Sequence, residues 1–199
     1  MARYTGPKWK LNRRANFSLD DKEKWKRRPT TPGQHGKGQR RNLTAYATQF
    51  SEKQKIKRIY GLLEKQFRRF FEMASIAEGN TGLRLLQLLE LRLDNVVYRM
   101  GLARTRAGAR QMVTHGHVKV NGKKIDLPSY IVQVGDEIRL KDKMAETANY
   151  KVLVEENKTK ELVKWIEKLT NGGVVKSEPT REMIDQAISE QLVVEYYSR

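Results

Sequence analysis

The chain has no cysteine, which excludes disulfides and thiolate-bound metal. It has only three histidines, His35, His115 and His117, so no metal-ligand set is expected. Acid is scarce. There are 23 Asp and Glu against 40 Lys and Arg, a net charge of +17. Such a surplus repels itself and calls for a polyanion to offset it. Apolar residues make up 38% of the 199 positions, below the share usual in a compact globule, so part of the chain is expected to be extended or held by a partner. No run approaches the roughly 18 apolar residues of a membrane span. The opening MARYTGPKWK lacks the apolar centre of a signal peptide. A cytoplasmic protein with no membrane partner is expected. Neither GxxxxGK[ST] nor GxGxxG occurs, and no histidine is flanked by a nucleophile or a carboxylate at a recognisable spacing. No catalytic residue and no cofactor are therefore expected.

The charge that is present is unevenly spread. Residues 1–58 hold 17 basic and 4 acidic residues, residues 59–140 hold 13 and 8, and residues 141–199 hold 10 and 11. The least apolar segment thus carries most of the surplus, as a basic arm laid on nucleic acid would. Residues 1–43 show almost no apolar periodicity. Tyr4, Trp9, Phe17 and Trp25 are interleaved with the cations, where they can stack on bases or close a local cluster. Pro32-Gly33, Gly36 and Gly38 let backbone come close to a ligand. A disordered basic tail is the plainer reading of this stretch.

Residues 44–88 are expected to form a helical domain. Ser51 can cap SEKQKIKRIYG, whose surface carries Lys53, Lys55, Lys57 and Arg58. A second run places Phe67, Phe70, Phe71 and Ala74 on one stripe, the pattern of a core. Thr81 is the expected cap of a long helix from about 83 to 100, with Leu86, Leu89, Leu93, Val96 or Val97 and Met100 on its apolar face and Gly101 at its end. Arg92, Asp94 and Arg99 on that helix suit internal ion pairs.

A second helix follows, capped by Thr105 and ended by Gly116. Ala109, Met112 and Val113 give it a core face, and Arg106, Arg110 and Thr114 fall four apart on another. Val118 and Val120 then alternate as a half-buried strand does. Asn121-Gly122 is the strongest short hairpin signal, since a type I′ turn needs positive φ at both centres. Gly135-Asp136 marks another turn before Ile138 and Leu140. Arg104, Arg106, Arg110, Lys119, Lys123 and Lys124 would line one basic edge. Residues 141–159 read as plausibly helical, LVKWIEKL as a strand or short helix with Trp165 inward, and Asn171-Gly172-Gly173 as a loop. A final helical run is expected from about Arg181, with Leu192, Val193, Tyr196 and Tyr197 packing on the N-terminal helices.

LDNVVYRMGLARTRAGARQMVTHGHVKVNG, followed by PSY and VGD, resembles the S4-type RNA-binding domain. That domain is also an appendage of pseudouridine synthases and tyrosyl-tRNA synthetases, so the flanks must decide. ARYTGPKWKLNRR, RPTTPGQHG, EKQKIKRIYGLLEKQFRRFF and PTREMIDQAISEQLVVEYYSR are all similar to the bacterial ribosomal S4 (uS4) family, in its zinc-free form. The resemblance covers nearly the whole chain. It implies an α+β fold: a basic arm (1–43), a helical N-terminal domain (44–88), an S4-type module of two helices on a small antiparallel sheet (89–155), and a tail (156–199) returning to the N-terminal domain.

The function that the resemblance implies is direct binding to 16S rRNA, early in assembly of the small-subunit body, with a contribution to translational accuracy. Partners would be ribosomal protein S5, other small-subunit proteins, and mRNA near the channel by which it enters the subunit. An RNA-modifying factor built on the same module, or a general nucleic-acid coating protein, are the alternatives. The candidate rRNA-binding residues are Arg3, Tyr4, Lys8, Arg13, Arg14, Gln34, His35, Arg40, Arg41, Lys53, Lys55, Arg68, Arg104, Thr105, Arg106, Arg110, His115, His117, Lys119, Asn121, Lys123 and Lys124.

Overall fold

The computed structural model describes residues 4–19, 26–28, 30–37, 43–156, 163–169 and 171–198. The architecture is α+β, with two compact units: Met1–Gly82 together with Ala187–Arg199, and Leu83–Gln186. The segment 156–199, read from sequence as one tail, is thus divided between them.

The first unit opens with α1 (Lys8–Ala15), closed by Asn16 in the left-handed region at φ 49°. A short 3-10 turn covers Gln34–Lys37. Here the glycine has a specific reason: a Cβ on Gly36 would lie 1.9 Å from the carbonyl oxygen of Thr31. The expected close approach of backbone is therefore made to the chain itself. Gly38 lies outside the described residues.

Helix α2 (Ala45–Ile59) begins six residues before Ser51, because Thr44 is the cap; its hydroxyl accepts from the Ala47 N–H at 3.3 Å. Gly61 at φ 65° turns the chain, and the Leu62 N–H donates to the Lys57 carbonyl at 2.9 Å. Helix α3 (Glu64–Ile76) buries Phe67, Phe70 and Ala74, as the stripe predicts. Each buried Phe contributes roughly 1.5–3 kcal/mol of transfer free energy.

The expected long helix is two. In α4 (Thr81–Glu90) the cap contact comes from Asn80, whose Oδ1 accepts from the Gly82 N–H at 2.9 Å, rather than from Thr81. The helix stops at Glu90 because the next residues pair sideways. The Val132 N–H donates to the Leu91 carbonyl at 2.9 Å, the Leu93 N–H to the Tyr130 carbonyl at 2.8 Å, and Arg92 is extended at ψ 136°. Helix α5 (Leu93–Arg99) then starts afresh and ends at Gly101, φ 73°. Thr105 caps α6 (Arg106–Thr114), its Oγ1 accepting from the Gly108 N–H at 3.1 Å, and Gly116 at φ 65° ends it.

The sheet is antiparallel throughout, in the order β2-β1-β3-β5-β4. Its strands are β1 (Val118–Val120), β2 (Lys123–Lys124), β3 (Glu137–Leu140), β4 (Ile166–Leu169) and β5 (Gly172–Val175). Asn121 at φ 49° and Gly122 at φ 78° make the predicted type I′ turn. The segment read as a loop at 171–173 instead supplies β5. A Cβ on Gly172 would lie 2.1 Å from the Ile138 carbonyl oxygen, so glycine is what lets β5 reach β3. Trp165 is fully buried in one core with Val96, Val97, Val113, Ile138 and Val175. Residues after β3 form α7 (Asp142–Ala145) and α8 (Ala148–Glu156).

Arg181–Met183 is a single 3-10 turn, and the expected helix begins later, as α9 (Glu190–Tyr197). This helix belongs to the first unit and packs along α2. Val193 is fully buried, Tyr196 stands against Tyr46 and Phe50, and Tyr197 stacks on Phe71 at 4.5 Å between ring centres. No helix among the described residues is long and apolar enough to cross a membrane.

Candidate nucleic-acid interface

Two carboxylates organise the basic groups of the second unit. Asp94, buried at the start of α5, takes Arg92 with both oxygens, at 3.1 and 2.8 Å. The same carboxylate accepts from Arg110 of α6 at 2.9 Å. Glu90, fully buried, takes Arg99 with both oxygens, at 2.9 and 2.6 Å, and accepts from Asn95 at 2.7 Å. The other end of that amide accepts from Arg106 at 2.9 Å, and the Arg106 guanidinium lies 4.6 Å from the centre of the Tyr98 ring. Asp94 thus holds two guanidiniums and Glu90 a third, while Asn95 ties Arg106 to Glu90. Arg92 and Arg99 are the internal partners their spacing suggested. Arg106 and Arg110 differ from the sequence reading, which set them on an exposed face: both are held by α5, and Arg110 is only 11% exposed.

The rest of the basic edge is more open. Lys123 and Lys124 are exposed in β2, and Lys119 is half-buried in β1. Arg104 is exposed and bidentate to Glu156, at 2.9 and 2.7 Å. Asn121 is exposed but committed to the fold: its amide donates to Asp136 at 2.7 Å and accepts from the Glu137 N–H at 2.9 Å. Both ends of this candidate's side chain therefore hold the hairpin. Thr105 likewise spends its hydroxyl on the cap. His115 is exposed and His117 half-buried, with ring centres 5.9 Å apart.

In the first unit, two of the expected lysines turn inward. The Lys53 side chain is 3% exposed; its ammonium donates to Glu64 at 2.7 Å and lies 4.8 and 4.6 Å from the Phe50 and Tyr196 ring centres. Lys55 pairs with Glu52 at 3.2 Å, donates to the Ala187 carbonyl, and sits over Phe17. Burial pushes the Glu64 carboxyl upward, but donation from Lys53, Lys57 and Tyr197 outweighs it and holds the group at about 2. Burial first, and then the Glu64 carboxylate, push the Tyr197 phenol up.

What remains outside is a cationic, aromatic surface. Arg14, Gln34 and His35 are exposed, Lys8 and Arg13 half-buried, and Arg13 donates to the Thr30 carbonyl at 2.8 Å. Tyr4 and Trp9 are each about half exposed. Arg68 is exposed with Glu72 one turn on, at 3.2 Å. Burial and then the nearby charge of Arg14 lower the pKa of Arg58. Arg3, Arg40 and Arg41 lie outside the described residues. Among the described residues, no group of three or more His, Cys, Asp or Glu is placed to hold a metal ion.

Residues 3–90 match the family model described as the ribosomal protein S4/S9 N-terminal domain, and residues 91–138 match the S4 domain. Along its whole length the chain is 48% identical to the small ribosomal subunit protein uS4 of Opitutus terrae, and 49% identical to those of Dictyoglomus turgidum and Clostridioides difficile, with all of each relative covered. The chain belongs to the uS4 family. Within this uS4 chain, the S4 domain contributes α5, α6 and the first three strands, so the match falls on the elements that carry the arginine cluster.

Sequence reasoning placed Arg58 on the basic face of its helix but left it out of the candidate set, which included Lys53 and Lys55. It also overlooked Glu90 and Asn95, which hold Arg99 and Arg106. Gln111, Met112 and Tyr150, lining a cleft beside His115 and His117, were missed too. Gly108, Gln111, Met112 and His115 follow helical spacing, so the α6 side of that cleft was legible. Tyr150 comes from a segment whose position no spacing gives.

Proposed function

We propose that this uS4-family chain is a structural, RNA-binding component of the small ribosomal subunit. It binds 16S rRNA directly, helps nucleate assembly of the subunit body and contributes to translational accuracy. No covalent step is involved. The observation that carries this reading is the arginine cluster of α5 and α6, where Asp94, Glu90 and Asn95 fix four guanidiniums in place. A fixed array of cations gains most against a fixed array of phosphates, because little side-chain entropy is lost on binding. The cationic, aromatic surface of the first unit supplies a second grip. Duplex RNA is then recognised by shape, since its deep groove is closed to side chains. Ribosomal protein S5, other small-subunit proteins and mRNA near its point of ingress complete the set of proposed partners.

The test is binding of the full chain to small-subunit ribosomal RNA across a salt series. With roughly 8 phosphates neutralised, log K falls against log salt with a slope of about −6 to −7. The chain also remains with small subunits through a moderate-salt wash. Equal affinity for an arbitrary duplex, or loss from washed subunits, would overturn the proposal.

A further inference from the structure

A cleft of about 660 Å³ opens on the second unit between α6 and the α7–α8 segment. Leu102, Ala103, Met112 and the Tyr150 ring form an apolar lining, with Met144 and Leu153 adding to it. Arg104, Gln111, His115 and His117 supply its hydrogen-bonding groups. We propose that this cleft receives one unstacked nucleobase of the bound RNA. The inference rests on the RNA-binding reading above and adds to it a subsite that reads a base rather than a phosphate.

The chemistry of the lining fits that occupant. A base has two apolar faces and an edge of donors and acceptors, and the cleft offers apolar surface beside an amide, two imidazoles and a guanidinium. Its volume lies within the roughly 300–1,000 Å³ of small-ligand pockets, room for a base with its sugar. The surroundings fit as well. Gly116, at φ 65°, stands between the two histidines, and Lys124 lies across it so closely that a Cβ there would sit 2.2 Å from the lysine Cε. The Lys124 Nζ lies 3.0 Å from the same Cβ position, at the turn between the two histidines. The RNA backbone on either side of an inserted base would meet Lys124 and Arg104, and the phosphate at Arg104 would displace the carboxylate of Glu156. An apolar protein side chain would use the lining but would leave the amide and the imidazoles without a purpose.

Ultraviolet crosslinking of the full chain to purified small-subunit ribosomal RNA, read by mass spectrometry, tests this. The expected product joins a peptide containing Met112, His115 or Tyr150 to a single nucleotide. The double variant Gln111→Ala, His115→Ala changes two exposed side chains off the core. It is expected to lose that crosslink and about 10-fold in affinity, the size of about two hydrogen bonds, with the salt slope unchanged. If the unaltered chain binds the RNA but yields no crosslink in the cleft, the base subsite is wrong and the RNA-binding reading stands. If the chain does not bind the RNA at all, that reading itself has failed. If the variant binds RNA normally yet is lost from assembled subunits, the cleft takes a protein side chain instead. Circular dichroism checks the variant's fold, and the crosslink is read on the unaltered chain, so a variant that fails to fold leaves the decision with it.

Discussion

At the scale of single residues, the buried charges decide what can be changed. Asp94 takes both Arg92, which is 1% exposed, and Arg110, so Asp94→Ala removes the carboxylate from a buried guanidinium. A loss of about 3–5 kcal/mol is expected in urea unfolding. Arg110→Ala leaves Asp94 still paired with Arg92 and should cost less, about 1.5–3 kcal/mol, the range for a hydrogen bond to a charged group. Affinity for RNA must therefore be measured on folded protein, well below the unfolding midpoint. Glu64 makes a pH prediction. Its folded pKa is about 2 against an ordinary 4.5, so the fold favours the ionised form. The stability this brings is complete above about pH 4.5 and is lost as pH falls towards 2. Glu64→Gln should be less stable than the unaltered chain at neutral pH, with the gap closing across that acid window in thermal melts.

At the scale of elements, the tightest constraint is the approach of β5 to β3. Gly172→Ala must push a strand aside, because the new Cβ would meet the Ile138 carbonyl. A loss of about 1–3 kcal/mol or more is expected, read by chemical denaturation, with hydrogen exchange rising first at β5. That contact also explains what could be read in advance. The α5–α6 pair, the Asn121-Gly122 turn and the Phe stripe of α3 were legible because each depends on local spacing or on a backbone preference within a few residues. The break after Glu90 was not, since it is made by residues 130–132 pairing with Leu91 to Leu93, and apolar periodicity runs through it undisturbed. Gly172-Gly173 read as a loop for the same reason: glycine signals a turn locally, and only the neighbouring strand turns it into a necessity. The inward lysines of α2 were hidden in another way. Helical spacing shows that Lys53 and Lys55 are crowded together and offers Phe50 and Glu52 nearby, but Glu64, Tyr196 and Phe17, which draw them inward, come from α3, α9 and the segment after α1.

At the scale of the whole molecule, a net charge of +17 makes salt the governing variable. Raising salt should stabilise the free chain by screening its self-repulsion while weakening its hold on RNA, so thermal midpoint and affinity move in opposite directions along one salt series. Measuring both on the same samples checks this; a fall in both would mean that the specific ion pairs outweigh the surplus. The placement of α9 has an outcome in time as well. Its tyrosines and Val193 complete the packing of α2 and α3, yet in the chain they follow the whole sheet and leave the ribosome that makes them after it. The interior of α2 and α3 is thus completed only after the strands have been made, and until then it stays uncovered while the later-made sheet can already close.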